Sequence, residues 1–288
     1  MRSFKQVVVF TEQPYRGNPV AVVLDGQGLS DAQMQDFTNW TNLSEATFLL
    51  PPTQPGADYR LRIFSPGREL PFAGHPTLGS CHAWLEAGGQ PRGEYVVQEC
   101  GVGLVKIRRD AGSGRLAFAA PPLRKSGPLP EEDVALIARG LGIARSDIVR
   151  HAWCDNGPNW RGVMLASAQQ VLALQPDAAL LAGLDVGVVG PRGKVGVIGS
   201  HPAGDECAFE VRAFFATNKG MLEDPVTGSL NAALAQWLIG SGVAPERYVA
   251  AQGTALQRAG RVHAERTADG EIWIGGASVT CIDGNVRL

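Results

Sequence analysis

Two stretches of this 288-residue chain carry the same residues in the same order, and that duplication constrains the fold more than any other feature. Arg62-Ile63-Phe64 precedes His75-Pro76-Thr77-Leu78-Gly79-Ser80. Arg212-Ala213-Phe214 precedes Asp224-Pro225-Val226-Thr227-Gly228-Ser229. The arginines lie 150 positions apart and the prolines 149. Each stretch then reaches a Trp-Leu pair, Trp84-Leu85 and Trp237-Leu238. One P-x-x-G-S match is ordinary and starts many buried helices. Two ordered matches at nearly one offset indicate a repeat. The pattern predicts two similar lobes, each a strongly bent sheet around one apolar helix, with the two helix starts facing each other across a cleft.

Helix starts of this kind have chemical meaning. The first turn of a helix leaves N–H groups unbonded and carries partial positive charge. Such groups bind a carboxylate and stabilise an enolate-like anion. Gly79, Ser80, Gly228 and Ser229 are small enough to let a ligand approach the backbone. The net charge of -2 offers no attraction for nucleic acid or an anionic membrane, so an anionic ligand has to be held by local donors.

Strand-like segments dominate the rest: Gln6–Phe10, Val20–Leu24, Glu45–Leu50, Tyr59–Ser65, Glu94–Glu99, Gly103–Arg108, Arg115–Ala119, Ile148–Ala152, Gly162–Leu165, Lys194–Ile198 and Cys207–Phe215. The tail from Arg261 alternates like two or three more. Helices are expected after Ser30-Asp31, where Met34, Phe37 and Trp40 recur, and over Pro76–Ala87, Pro130–Leu141 and Pro225–Ile239. The tryptophans read as core. This is an α+β pattern rather than a doubly wound sheet. The Pro-, Gly- and Lys-rich Pro121–Pro130 is the expected linker, which puts an N-terminal lobe at 1–120 and a second lobe at 121–276. The five cysteines are scattered without a CxxC, which argues against disulfides and zinc and for a reducing cytoplasm. The apolar run in MRSFKQVVVF is short for a signal peptide, and no stretch is long enough to span a membrane.

Four motifs, in order, carry a resemblance: Gly17-Asn18-Pro19-x-Ala21-Val22, Ser44-Glu45-Ala46-Thr47-Phe48, Glu69-Leu70-Pro71-Phe72-Ala73-Gly74-His75-Pro76-Thr77, and Glu223-Asp224-Pro225-x-Thr227-Gly228-Ser229. With Gly275-Gly276-Ala277 near the end, they resemble the PhzF-like family of phenazine biosynthesis. The resemblance implies the diaminopimelate-epimerase-like fold, with two pseudo-symmetric lobes and a final strand, about 277–288, returned to the first. It implies a homodimer and a cofactor-independent isomerase. The family's chemistry moves a hydrogen along the ring of trans-2,3-dihydro-3-hydroxyanthranilic acid. Carried over residue by residue, the resemblance implies that Glu45 is the general acid/base and that His75 and Asp224 position the ligand, with Asp224 also a second proton handler. Gly74, Gly228 and Ser229 are donors or close backbone contacts, with Thr227 and Ser80 beside them as substrate-binding positions.

Each of these residues also has a structural reading. Glu45 sits in an apolar segment, where an unpaired carboxylate is costly to bury and burial favours its neutral form, unless it lies at a strand edge facing water. His75, just before the expected helix, has Asp224 as its counterpart in the second repeat. Asp224 is also a natural N-cap. Arg62 and Arg212 suit structural ion pairs, and Glu223 a supporting position. His82 is expected to pack, and His151, His201 and His263 have no motif around them. A two-thiol epimerase needs cysteines at both helix starts, and neither has one. A Ser-His hydrolase lacks a GxSxG elbow. A small-molecule-binding protein without chemistry remains the alternative outside enzymes.

Overall fold

The computed structural model describes residues 1–192, 206–217 and 220–288. The expected strand at Lys194–Ile198, and His201, lie outside the described residues. In chain order the elements are β1 (Arg2–Val9), β2 (Asn18–Val23), α1 (Asp31–Thr41), β3 (Ala46–Leu50), β4 (Tyr59–Ser65), β5 (Arg68–Leu70), α2 (Gly74–Glu86), β6 (Val96–Cys100), β7 (Gly103–Arg109) and β8 (Leu116–Ala119). There follow α3 (Glu131–Leu141), β9 (Arg150–Cys154), β10 (Trp160–Met164), α4 (Ala168–Ala173), β11 (Val186–Pro191), β12 (Phe209–Thr217), β13 (Gly220–Asp224), α5 (Gly228–Gly240), β14 (Arg247–Gln252), β15 (Gly260–Arg266), β16 (Ile272–Gly276) and β17 (Ser278–Val286). Two compact units result. One comprises Met1–Ala119 with Gly275–Leu288, and the other Ala120–Ile274.

In the first unit β1 pairs antiparallel with β2, β2 parallel with β3, β3 antiparallel with β4, β4 antiparallel with β5 and parallel with β6, and β6 antiparallel with β7. In the second unit β9 to β15 repeat those relations strand for strand. The short α1 and α4 fill equivalent crossovers. So do α2 and α5, which are 13 residues each. The repeat is therefore a duplicated α+β topology.

The structure also re-registers that repeat. On the paired hairpins Phe64 lies opposite Glu69, and Phe214 opposite Glu223. Arg62 grips Glu69 with two hydrogen bonds, of 2.8 and 2.6 Å. Arg212 grips Glu223 in the same way, at 2.9 and 2.7 Å. The guanidinium carbons lie 5.0 Å from the Phe64 ring centre and 4.9 Å from that of Phe214. Gly101 and Gly253 press on Pro71 and Pro225: an added Cβ would meet Pro71 Cα at 2.7 Å and the Pro225 carbonyl oxygen at 2.6 Å. Glu69-Leu70-Pro71-Phe72-Ala73-Gly74-His75 thus matches Glu223-Asp224-Pro225-Val226-Thr227-Gly228-Ser229. The counterpart of Pro225 is Pro71, not Pro76, and the counterpart of His75 is Ser229, not Asp224. The P-x-x-G-S similarity that first exposed the repeat is out of register, because the second hairpin is four residues longer.

Both central helices are apolar on nearly every face and are buried accordingly. α2 packs against β1, β2 and β8. Gly79 permits that approach, since a Cβ there would lie 2.5 Å from Val20 Cγ1 and 3.0 Å from Val9 Cγ2. α1 starts on a capping box between Ser30 and Gln33. Met34 and Phe37 enter a core with Val23, Phe48 and Phe64. Trp40 does not, and is 80% exposed. A three-residue step falls about 60° short of a full helical turn, so two steps carry Trp40 off the buried face. In the second unit α3 lays Val134, Ile137 and Leu141 into a core with Val163, Val188 and Phe214. The sequence reading did not include β5, β11, β13, β14 or α4.

The returning strand β17 pairs along the whole of β1, from Arg2 opposite Val286 to Val9 opposite Ser278. Lys5 ties it down. Its ammonium contacts Asp283 of β17 at 2.8 Å and Glu86 of α2 at 3.1 Å. Burial opposes the charge on Lys5, but the two carboxylates outweigh it and raise its pKa. His82 packs beside this network, 3.2 Å from both Thr280 and Glu86.

Candidate active site

The first unit brings Glu45 and His75 together. Glu45 is the residue before β3, and its carbonyl accepts from the Ala21 amide. His75 is the second residue of α2. Burying an imidazole costs least when it is uncharged. Burial lowers the pKa of His75 to about 3, against which the Pro19 carbonyl has little effect. The ring is therefore neutral. The Asn18 amide nitrogen lies 3.3 Å from Nδ1. Nε2 lies 3.2 Å from Glu45 Oε2, an oblique approach rather than an aligned hydrogen bond. The Glu45 side chain is 16% exposed. It has one oxygen buried against the imidazole and a path to a ligand.

α2 begins at Gly74 with no side-chain cap, Ala73 being its N-cap. The Gly74 and His75 amides belong to this first turn, and Pro76 has no N–H to offer. Pro76 thus lies inside the helix, which starts two residues earlier than expected. Ser80 is a correction to the set of ligand contacts. It is wholly buried in the body of α2 and donates to Thr47 Oγ1 at 2.8 Å. Its place one and a half turns beyond the helix start removes it from the exposed donors, as the close packing of Gly79 does for that residue.

The second unit builds a polar network at the start of α5. The helix begins at Gly228, so Pro225 precedes it, and its N-cap is Thr227 rather than Asp224. Asp224 ends β13, and its Oδ2 accepts from the Thr227 hydroxyl at 2.7 Å. That hydroxyl accepts in turn from Gln252 Nε2 at 2.9 Å. Gln252 Nε2 also reaches the Asp224 carbonyl, and Gln252 Oε1 accepts from the Thr227 amide and from Asn231 Nδ2. Thr227 is therefore occupied in orienting Asp224. Ser229, partly exposed, accepts from Trp160 Nε1 at 3.1 Å through its hydroxyl oxygen, and from Asn156 Nδ2 at 2.8 Å through its carbonyl. Glu223, as the partner of Arg212, is structural.

Gln252, Asn231, Asn156 and Trp160 were not among the residues singled out in the sequence. The available signal was polarity inside apolar runs: Gln252 closes Tyr-Val-Ala-Ala-Gln, and Asn231 interrupts an Ala- and Leu-rich helix. The repeat does not duplicate this network. Leu70 stands where the second unit has Asp224, and Cys100 where it has Gln252. It does duplicate a carboxylate before the third strand: the Asp185 carbonyl accepts from the Arg161 amide as that of Glu45 does from Ala21.

No helix among the described residues is long and apolar enough to cross a membrane. No group of three His, Cys, Asp or Glu side chains among them is placed to hold a metal ion. No disulfide joins any of the five cysteines.

Comparison with known proteins gives this geometry a context. The family model described as phenazine biosynthesis-like protein matches residues 7–284. The chain is 37% identical to antisense-enhancing sequence 1 of Schizosaccharomyces pombe, over 98% of this chain and 97% of that protein. It is 31% identical to trans-2,3-dihydro-3-hydroxyanthranilate isomerase of Pseudomonas aeruginosa, over 94% and 92%. The solved structure of a predicted epimerase from Pseudomonas aeruginosa is 26% identical and superposes with a TM-score of 0.79, each chain being covered in full. With a family match across almost its whole length and a duplicated α+β topology to support it, this chain belongs to the phenazine biosynthesis-like protein family.

Proposed function

We propose that this protein is an isomerase that moves a proton on a small carboxylate without a cofactor, with Glu45 as its general acid/base. The observation that carries this reading is the partly exposed Glu45 carboxylate, 3.2 Å from a buried neutral imidazole and in the same unit as the uncapped first turn of α2. In the proposed reaction Glu45 takes a proton from an acidified C–H of the substrate. The electron pair left behind delocalises toward the substrate carboxylate as a dienolate. The Gly74 and His75 amides stabilise that charge, and Glu45 returns the proton to a different carbon. Atoms and electrons balance with no oxidant or metal in the step. His75, neutral, positions Glu45 through the close approach of its Nε2 edge to the carboxylate and does not itself exchange a proton. Asp224, oriented by the Thr227 hydroxyl, is the second proton-handling group, and Gly228 and Ser229 are donors to the substrate.

The substrate to test first is trans-2,3-dihydro-3-hydroxyanthranilic acid, the compound in the name of the Pseudomonas relative. A cytoplasmic homodimer is the expected setting. The test is turnover in D2O by the full chain and by Glu45→Gln. Solvent deuterium in the product, with a loss of roughly a hundredfold or more in kcat for the variant, supports the assignment. Undiminished turnover by the variant refutes the role of Glu45, and no turnover by the unmodified protein refutes this substrate.

A further inference from the structure

The first unit contains a cavity of about 500 Å³ that shares no residue with the proposed catalytic site. Leu85, Glu86 and Gly89 line it at the C-terminal end of α2, and the start of β17 and the β7–β8 hairpin supply other walls. His75 lies in the first turn of α2 and Glu86 ends it, so about 16 Å of helix separates the two places. Polar groups in this cavity lack partners. The Thr280 hydroxyl donates to Glu86 of α2 at 2.6 Å, so its face of β17 points at the helix. Strand side chains alternate between faces, and the pairing with β1 is regular from Thr280 to Ser278. Ser278 therefore points the same way. It lines the cavity, and its hydroxyl is buried with no hydrogen-bond partner. A buried hydroxyl in that state is uncommon and costs stability, so it calls for a reason. The same alternation puts Arg109, the last residue of β7, on the face of the fully buried Ile107. Arg109 lines the cavity, is exposed to solvent and makes no ion pair among the described residues. Arg115 lines it too, and contacts only the exposed Glu12, at 3.9 Å, as an ion-pair partner among the described residues. Of the two lining carboxylates, Glu86 is held by Lys5 at 3.1 Å, and Glu94 is open to water.

We propose that this cavity is a second ligand site, separate from the catalytic one, which takes a small organic acid with its carboxylate on Arg109 and its apolar body against Leu85 and Leu116, while the Ser278 hydroxyl supplies a hydrogen bond. The volume lies within the range of small-molecule sites. A guanidinium suits a planar carboxylate, because it presents two parallel N–H groups to the two oxygens. An inorganic anion leaves the apolar wall unused, and an uncharged apolar molecule leaves Arg109 unused. A bound acid touches β17, α2 and the β7–β8 hairpin together, and so ties the returning strand to the rest of its unit.

The test counts benzoate bound per full chain by equilibrium dialysis, with benzyl alcohol as the uncharged probe of the same shape. Arg109→Met should bind one benzoate fewer than the unmodified protein, or hold it at least tenfold more weakly, the value of one charge-assisted hydrogen bond. Glu45→Gln, which alters only the catalytic site, should retain that benzoate. Ser278→Ala should weaken it by roughly fivefold and leave the Tm of the free protein unchanged or raised, since the hydroxyl it removes has no partner to lose. Benzyl alcohol should bind the unmodified protein at least tenfold more weakly than benzoate. Full benzoate binding by Arg109→Met overturns the proposal, and so does its loss in Glu45→Gln alone, which would put the acid in the catalytic site. A lower Tm for Ser278→Ala with binding unchanged shows a purely structural hydroxyl and overturns its part in the site. No benzoate bound by the unmodified protein overturns the second site and leaves the role of Glu45 to its own turnover test.

Discussion

His75 couples the stability of this protein to pH in a way that can be worked out from one side chain. The imidazole is 4% exposed, and burial lowers its pKa from 6.5 to about 3. Below pH 6.5 the unfolded chain binds a proton there that the folded chain does not. The unfolded state is favoured accordingly, and stability falls as the pH drops from 6.5 toward 3. The contribution is fully present above the unfolded pKa. Each pH unit below it removes about 1.4 kcal/mol, so at pH 5 this one group has cost about 2 kcal/mol relative to neutrality. For a chain of this size that corresponds to roughly 3 to 4 °C in Tm. The perturbation is His75→Gln, which removes the titrating group and keeps a polar side chain beside Asn18 and Glu45. The assay is urea unfolding of both proteins at pH 7 and pH 5. His82 and His151, whose pKa values burial also lowers, remain in both proteins and cancel in the difference. The variant should be the less stable protein at pH 7 and should lose about 2 kcal/mol less on acidification. Parallel losses would show that the His75 imidazole is protonated in the folded state, and would refute its role as a neutral partner of Glu45.

Further outcomes follow from the packing. Ser80→Ala should cost about 1–2 kcal/mol, because Thr47 loses its buried donor, and should leave kcat unchanged, as measured by thermal melts beside turnover. Arg212→Met should cost about 3–5 kcal/mol in urea, since it strands a mostly buried Glu223 and frees the carbonyls of Val171 and Leu174. Arg62→Met, whose partner Glu69 is far more open to water, should cost about 1 kcal/mol by the same measurement. Gly79→Ala should destabilise by about 1–3 kcal/mol through its clash with Val20 and Val9. Gly240→Ala, at an exposed position with open space around it, should stabilise by up to about 1 kcal/mol, and calorimetric melting compares the two.

Strands and central helices were legible in the sequence because their signals are local. Runs of β-branched residues marked β1 and β2, and small apolar residues marked α2 and α5. The register of the repeat was not legible, because it depends on the paired hairpins. Only the cross-strand positions of Phe64 with Glu69 and Phe214 with Glu223 reveal the longer second hairpin. The same dependence on tertiary contact explains the site. Glu45, His75 and Asp224 sit in motifs, but the partners that orient them arrive from other strands: Asn18 to His75, Gln252 to Thr227 and Asp224, Trp160 to Ser229. A lone glutamine at the end of an apolar strand carries no local mark of the helix it will meet. Ser80 misled for the opposite reason, since a small polar residue on a helix reads alike whether it faces a ligand or a neighbouring threonine.

The return of β17 to β1 gives synthesis of this chain an order. The second unit, Ala120–Ile274, is continuous, and each of its strands can find its neighbour as soon as it has left the ribosome. The first unit is made earlier but cannot be finished earlier. One flank of β1, including the carboxylate that Lys5 needs from Asp283, is supplied only by β17, which is translated after the whole of the second unit. The older half of the nascent protein must therefore wait with an open strand edge while the younger half folds, and it closes only when β17 has emerged. Loss of residues 279–288 would remove most of that flank, and would harm the part of the protein that was made first.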